Sequence, residues 1–193
     1  MSNETTNKNF LSQISYFIKK KIKLFIFLGC FLLISLITLF FFQNQAEKNN
    51  IIIAEQYIYA STLEKQKKIN ESKAVLESII NKDHPFYSPM ALYFIIDKNF
   101  EKDTSKVIYF FDKILKNSSI DEEKLNLIKI KKAIYLINLD NEEQIVKTLN
   151  PIINSNSGWR NIAINLIAEY FLSKNQNVKA EEYLQLLKNK TKK

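Results

Sequence analysis

Four stretches of the chain decide its fold: KAVLESII at 73–80, KVIYFFDKIL at 106–115, QIVKTLNPII at 144–153 and VKAEEYLQLL at 178–187. In each stretch, apolar residues recur at the three- and four-residue spacing of one face of an α-helix. Aligning the stretches brings one position into register, with spacings of 33, 39 and 34 residues between Ala74, Val107, Val146 and Ala180. The pattern therefore predicts an all-α protein that repeats a helical unit.

Breaks in the apolar pattern extend this prediction to the whole body of the chain. The Ser119-Ile120-Asp121-Glu122 sequence has the spacing of a capping box, and Asp103 or Thr104 also suits a helix start. Pro151 should kink or end the helix that contains it, because proline has no N–H to donate. The predicted helices are 45–68, 71–82, 85–98, 103–117, 121–138, 141–154, 158–174 and 177–190.

These eight helices form four pairs, and pairs that repeat near 34 residues are typical of tetratricopeptide repeats. Small residues at the helix crossing allow such pairs to pack closely. In the predicted register, only Ala74 and Ala180 are small in the second helices, and the first helices offer Thr62, Ile95, Ile134 and Ala168. The sequence therefore predicts a degenerate TPR-like α-solenoid of about four helix pairs, with its middle pairs packed at a wider separation.

The composition argues against enzymes. The 193 residues include 2 Gly, 1 Cys and 1 His, which leaves little for phosphate-binding loops, disulfides or His-rich metal sites. His84 lies before Pro85 in a predicted loop, where a solvated histidine is a simpler interpretation than a general base. Acidic residues at 121–123 and 140–143 fall at helix starts, where the helix dipole attracts them. We expect no catalytic site, cofactor, metal or small-molecule substrate.

The net charge of +8 does not indicate a nucleic-acid partner once it is divided along the chain. Residues 1–42 contribute +4, and the C-terminal lysines 188, 190, 192 and 193 contribute the other +4. The body between them is neutral, and Arg160 is its single arginine. Proteins that bind phosphates concentrate basic groups on the folded body and favour arginine.

Residues 24–42 (LFIFLGCFLLISLITLFFF) form an uncharged apolar stretch of 19 residues, which predicts a transmembrane helix. Lys19, Lys20, Lys21 and Lys23 precede it, so the positive-inside rule predicts a cytoplasmic N-terminus. A cleaved signal peptide is the weaker alternative, because no small-residue cleavage site follows. The predicted localisation is thus a bacterial inner membrane, crossed once.

The predicted organisation has four parts. Residues 1–23 form a basic cytoplasmic tail, 24–42 the transmembrane helix, 43–190 a periplasmic TPR-like domain and 191–193 a basic C-terminal tail. Within the first tail, Phe10, Leu11, Ile14, Phe17 and Ile18 share one helix face. A short helix on the membrane surface and a disordered tail explain that stripe equally well.

Aromatic residues are the candidate partner-binding groups. The sequence Tyr109-Phe110-Phe111 spans nearly 200° of a helix, at about 100° per residue, so its rings cannot all face one core. Although most of the rings should be core, one or two could line the groove in which solenoids hold their partners. Tyr93, Tyr109 and Phe110 are the candidates.

The C-terminal part of the chain resembles bacterial tetratricopeptide-like inner-membrane proteins related to the ancillary subunit of the Sec translocon. The resemblance covers about residues 20–190, and its most specific residues are Trp159 and Arg160 at a helix start, followed by Ala163, Leu166, Ala168 and Lys179-Ala180-Glu181. Relatives often have proline before Trp-Arg, where this chain has Gly158. For Trp159 we expect a core position, and for Arg160 a contact with a neighbouring carboxylate.

The resemblance implies a function that periodicity alone does not supply. It implies a membrane-anchored scaffold that links the Sec translocon to periplasmic chaperones or clients. A cell-envelope assembly or structural factor without client binding is the alternative. Other proteins are therefore the expected partners.

Overall fold

The structure of the chain, a computed structural model, describes residues 21–188. All regular secondary structure in this range is α-helical, which confirms the all-α prediction. The helices are α1 (Ile22–Lys65), α2 (Ile69–Asn81), α3 (Tyr87–Asp97), α4 (Thr104–Leu115), α5 (Glu122–Asn138), α6 (Glu142–Ile153), α7 (Arg160–Ser173) and α8 (Asn177–Lys188). Helices α2 to α8 begin and end within two residues of their predicted bounds, and Pro151 lies inside α6 near its end.

The prediction for the N-terminal region needs correction. Helix α1 begins at Ile22 and continues through the polar residues 43–50 to Lys65, so residues 24–42 are not a separate helix. In the part of the chain that the structure describes, no helix is long and apolar enough to cross a membrane. The predicted single-pass inner-membrane localisation, with a cytoplasmic N-terminus and a periplasmic domain, is therefore wrong.

The chain divides into two compact units, Met1–Ile52 and Ile53–Lys193. In the first unit, the large apolar side chains described between Ile26 and Phe40 are exposed. Lys21 and Lys23 are also exposed, whereas Lys19, Lys20, the apolar stripe at 10–18 and the C-terminal tail 191–193 lie outside the described residues. The second unit contains the helix pairs.

One turn ends the first helix of every pair. A residue with positive φ lies two positions beyond the helix, and the next N–H donates to a carbonyl five residues back, as in a Schellman motif. The positive-φ residues are Lys67, Asn99, Asp140 and Asn175, with φ between 53° and 61°. The carbonyls that accept belong to Leu63, Ile95, Leu136 and Phe171, at 2.9, 2.9, 3.3 and 2.9 Å. None of these turns uses glycine, and three of them use Asn or Asp, which tolerate this conformation.

The second helix of every pair begins with the same type of backbone hydrogen bond. The carbonyls of Lys68, Asp103, Asn141 and Gln176 accept the N–H groups of Ser72, Val107, Ile145 and Ala180. These four donors are each the fourth residue of their helix, and all are at most 1% exposed. In pairs one, three and four, a single residue donates to the preceding helix and accepts from the following one.

This geometry corrects the predicted register. Ala74 is exposed, and the buried position of α2 is Ser72, whose hydroxyl donates to the carbonyl of Ala60 at 2.8 Å. In α6 the buried position is Ile145 instead of Val146. Each first helix also buries at least one alanine at 0–1% exposure, and these include Ala60, Ala91, Ala133 and Ala168. The middle pairs, for which the predicted register gave Ile95 and Ile134, therefore also bury a small residue in their first helices.

Buried residues form two clusters that meet at α5. The first cluster combines α1 to α4 with Ile120 and Ile128, and the second combines Ile130 with the rest of α5 and α6 to α8. Helix α5 also contacts α7, so the first helices of pairs three and four lie side by side. Ile128 and Ile130, only two residues apart, thus belong to different clusters.

A partly buried carboxylate joins the first pair to the second. Glu101, in the loop between α3 and α4, lies 2.9 Å from the ammonium of Lys73 and 3.3 Å from that of Lys106. Its other oxygen accepts the backbone N–H groups of Lys102 and Asp103. The hydrogen bond from Lys73, followed by that from Asp103, lowers the pKa of Glu101 to about 2.

Replacing Lys67 by glycine should stabilise the second unit. Left-handed backbone costs lysine about 1–2 kcal/mol, and the greater freedom of glycine in the unfolded chain offsets part of the gain. We expect Lys67→Gly to raise the free energy of unfolding by about 0.5–1 kcal/mol in chemical denaturation. Lys65→Gly, inside the last turn of α1, should lower it by up to about 1 kcal/mol. Equal effects of the two variants would contradict this account of the turn.

Glu101 should make stability depend on pH in the acid range. Its pKa is about 2 when folded and 4.5 as the reference for the unfolded chain, so its contribution is complete above pH 4.5 and is lost as the pH falls towards 2. Glu101→Gln should lower stability at pH 7 by about 1–3 kcal/mol and flatten the acid dependence. Glu71→Gln, which removes an exposed pair with Lys68, should cost less than about 0.5 kcal/mol. Parallel acid profiles for wild type and Glu101→Gln would overturn the assignment.

Candidate partner-binding cleft

A cleft of about 270 Å³ lies between α3, α4 and α5, and we call it the α3–α5 cleft. It is bounded by the C-terminal halves of α3 and α5, because Asp97 and Asn138 are the last residues of these helices. Its lining residues are Tyr93, Ile96 and Asp97 of α3, Phe111 of α4, and Lys131, Ile134, Tyr135 and Asn138 of α5.

The floor of the cleft is apolar and its rim is polar. Phe111 is fully buried, and its ring lies 6.1 Å from that of Tyr135. Ile134 is 43% exposed, so it offers apolar surface to anything that enters. Asp97, Lys131 and Asn138 are exposed around it. An apolar floor inside a ring of polar groups is the usual form of a protein interface.

The hydroxyl of Tyr93 is the unusual polar group of the cleft. It is buried and has no hydrogen-bond partner among the described residues. Burial also raises the pKa of Tyr93 to about 12. A buried hydroxyl without a partner destabilises the protein, so such a group invites a functional explanation. A partner that brought an amide or a carbonyl to this hydroxyl would satisfy it.

Of the three candidate aromatic residues, Tyr93, Tyr109 and Phe110, only Tyr93 lines this cleft. Tyr109 is 59% exposed on α4, but it is not among the lining residues. Phe110 is 3% exposed and belongs to the first core cluster, because its side of α4 faces the interior. Phe110 therefore offers no accessible binding surface, and the structure does not bring the three predicted residues together.

Sequence reasoning missed Ile134 and Tyr135. Ile134 lies beside the buried Ala133 and one turn from the buried Ile130. The sequence pattern alone therefore assigns it to the same apolar stripe of the core. One feature of the sequence could have indicated an exposed apolar residue here, because α5 carries more apolar residues than one helix face can bury. Only the tertiary arrangement of α3, α4 and α5 around the cleft tells which of them stays exposed.

Trp159 and Arg160 both contact neighbouring parts of the second unit. Trp159 is partly buried against the second core cluster. The guanidinium of Arg160 donates to the carbonyl of Ile153 at 2.9 Å and to that of Leu186 at 3.1 Å, so it ties the ends of α6 and α8 together. The expected contact with a carboxylate is replaced by two contacts with backbone carbonyls. Ala163, Ala168 and Ala180 are buried in the same part of the unit.

The predicted loop and capping residues also have defined contacts. Nδ1 of His84 accepts the backbone N–H groups of Phe86 and Tyr87, at 3.1 and 3.0 Å. This bonding places the histidine at the start of α3, and burial lowers its pKa. Asp121, instead of Ser119, caps α5 by accepting the N–H of Lys124 at 3.0 Å.

The acidic clusters interact with neighbouring helices. Glu142 accepts from Lys179 and Gln176 of the last pair, and Asp140 accepts from the hydroxyl of Tyr170 at 3.0 Å. Across the residues that the structure describes, no group of three His, Cys, Asp or Glu side chains could hold a metal ion.

Comparisons with known proteins returned no match: no family model matches the chain, and no curated protein or solved structure does. The resemblance to tetratricopeptide-like proteins related to the Sec translocon therefore stays a prediction.

Two tyrosines allow the unpartnered hydroxyl to be tested. Tyr93→Phe removes a buried hydroxyl without a partner, so it should leave the free energy of unfolding unchanged or raise it by about 1 kcal/mol. Tyr170→Phe is the matched control, because the hydroxyl of Tyr170 donates to Asp140; it should lower stability by about 1 kcal/mol. Chemical denaturation measures both values. A loss of stability in Tyr93→Phe as large as that in Tyr170→Phe would show that the Tyr93 hydroxyl has a partner.

Proposed function

We propose that this chain is a TPR-like α-solenoid scaffold without enzymatic activity, and that it binds other proteins through the α3–α5 cleft. The observation that carries the proposal is the combination of exposed Ile134 with the unpartnered hydroxyl of Tyr93 in one cleft. Apolar surface and an unused hydrogen-bonding group together favour a protein segment, which offers both side chains and backbone amides.

The repeated architecture supports the solenoid part of the proposal. The four pairs share the same turn and the same first bond of the second helix, and neighbouring helices along the chain pack against each other from α2 to α8. In stacked helix pairs, surfaces between successive first helices are accessible to partners. The α3–α5 cleft lies between two such helices.

The size and rim of the cleft limit the partner. A volume of about 270 Å³ is small beside the clefts that enclose whole ligands, so it suits one or two large apolar side chains of a longer segment. Asp97 and Lys131 on the rim have opposite charges, so binding should depend weakly on net charge and on salt.

The identity of the partners rests on the resemblance alone. It suggests the Sec translocon with its chaperones or clients, and a photoreactive residue at position 134 would test this by cross-linking. If no protein is captured there while the cleft still binds peptides, partners of a different kind are indicated. A structural factor without clients is the alternative outcome.

The cleft can be tested without knowing the natural partner. Peptides selected from a display library on the full chain would be measured by fluorescence anisotropy against variants. Ile134→Glu should weaken binding by about 2 kcal/mol, or about 30-fold in Kd, because it places a charge on the apolar floor. Tyr93→Phe should weaken it less, by about the value of one hydrogen bond.

Ile162→Glu is the matched control for this experiment. Ile162 lies on α7, is 47% exposed and does not line the cleft. Both variants should retain the stability of the wild type, since both replace exposed side chains. The proposal is wrong if Ile162→Glu weakens the selected peptides as much as Ile134→Glu does, or if neither variant weakens them.

A further inference from the structure

A second cleft, of about 410 Å³, lies between α4, α5 and α6, and we call it the α5–α6 cleft. It is lined by a different set of α5 residues from the α3–α5 cleft. Lys129 and Lys132 of α5 and Lys147 of α6 line it, together with the carboxylates of Asp112 and Glu143. Three ammonium groups against two carboxylates leave an excess of positive charge in this cleft.

Lys132 is the most unusual of these lysines because it is buried, at 7% exposure. Its ammonium donates to Oδ1 of Asp112 at 2.6 Å. An ammonium carries three N–H donors, and the bond to Asp112 uses one of them. A buried cation needs most of its donors satisfied, since desolvation is costly. An anion in the cleft would supply further acceptors to it.

Asn126 does not line the cleft, but it is a second buried polar residue and it contacts Lys129, which does. It is 1% exposed, and its Oδ1 accepts from the ammonium of Lys129 at 3.1 Å. Its Nδ2 is buried without a hydrogen-bond partner among the described residues. Unpartnered buried groups of this kind are rare in native proteins. The groups around Lys129 thus offer more donors than acceptors, as a site for an oxyanion does.

The remaining walls restrict the size and character of the ligand. Leu115 and Pro151 add apolar surface, and Pro151 has no N–H to donate to the carbonyl of Lys147 one turn earlier. A cleft of about 410 Å³ is in the range that holds small ligands. A short molecule with an oxyanion at one end and an apolar or hydroxyl-bearing remainder fits these walls.

We propose that the α5–α6 cleft binds the oxyanion of a small molecule, a phosphate or a carboxylate, through Lys129, Lys132 and Lys147. This binding is independent of the α3–α5 cleft and of the proposed protein partners. In the bound state Asp112 competes with the anion for the ammonium of Lys132. Removing that carboxylate should therefore strengthen binding, which a merely structural role for Asp112 does not predict.

The test uses the full chain with two probes, inorganic phosphate and succinate, each compared with sodium chloride at the same ionic strength. A ligand that binds the folded state raises the thermal midpoint in a saturable manner. The probe with the larger effect distinguishes a phosphate site from a carboxylate site. Isothermal titration calorimetry then gives Kd for each variant.

Lys147→Gln and Lys129→Gln should each weaken binding of the better probe about ten-fold, because each removes a charge-assisted hydrogen bond. Lys131→Gln is the control on the same helix, since Lys131 is exposed and lines the other cleft; it should leave Kd unchanged. Asp112→Asn should lower the thermal midpoint without anion and tighten binding of the probe.

Two results would overturn the proposal. One is the lack of any saturable stabilisation by phosphate or succinate beyond that of sodium chloride. The other is an equal loss of affinity in Lys131→Gln and Lys147→Gln, which would indicate general attraction to a basic surface. Neither result affects the peptide-binding test of Ile134, so the two proposals can fail separately.

Discussion

The hydrogen-bonded turn inside each helix pair is the constraint on which the rest of the second unit depends. In three of the four pairs, one residue donates to the end of the first helix and accepts from the start of the second. This arrangement constrains the angle between the two helices through bonds among a few neighbouring residues, without any contribution from contacts between pairs. The same turn then places Ser72, Val107, Ile145 and Ala180 at equivalent buried positions. Regular stacking follows from repeated local geometry more than from similar side chains.

Helix α5 is common to both core clusters and to both candidate clefts. It belongs to both core clusters, because Ile128 packs with the first two pairs and Ile130 with the last two. Both clefts are lined by this helix, one with Ile134 on its floor and the other with Lys132 in its wall. The candidate sites for a protein partner and for an anion both lie between pairs two and three.

The pairs pack through the two apolar clusters, and a few specific polar contacts join them as well. Glu101 joins pair one to pair two, Lys132 and Asp112 join pair two to pair three, and Arg160 ties α6 to α8. Because the apolar surface of each pair is covered by its neighbours, these polar contacts fix which residues face each other. Helical periodicity gave the bounds of α2 to α8 within two residues, but it could not give these pairings, which join residues about 20–30 positions apart. The correction from Ala74 to Ser72 has the same origin, since both residues fit a helical pattern and only packing distinguishes them.

The amino-acid sequence alone determined that the second unit is a set of four helix pairs, because capping residues and 3.6-residue periodicity act locally. It also identified Tyr93 as a residue worth testing, but the carboxylate that it suggested as the partner of Arg160 is replaced by two backbone carbonyls. Tertiary structure decided which apolar residues are exposed, as with Ile134, and which are buried, as with Phe110. It also decided that residues 24–42 are part of one helix that continues to Lys65. Exposure and pairing depend on which elements meet in space, and a sequence pattern records the face of a helix without recording what covers it.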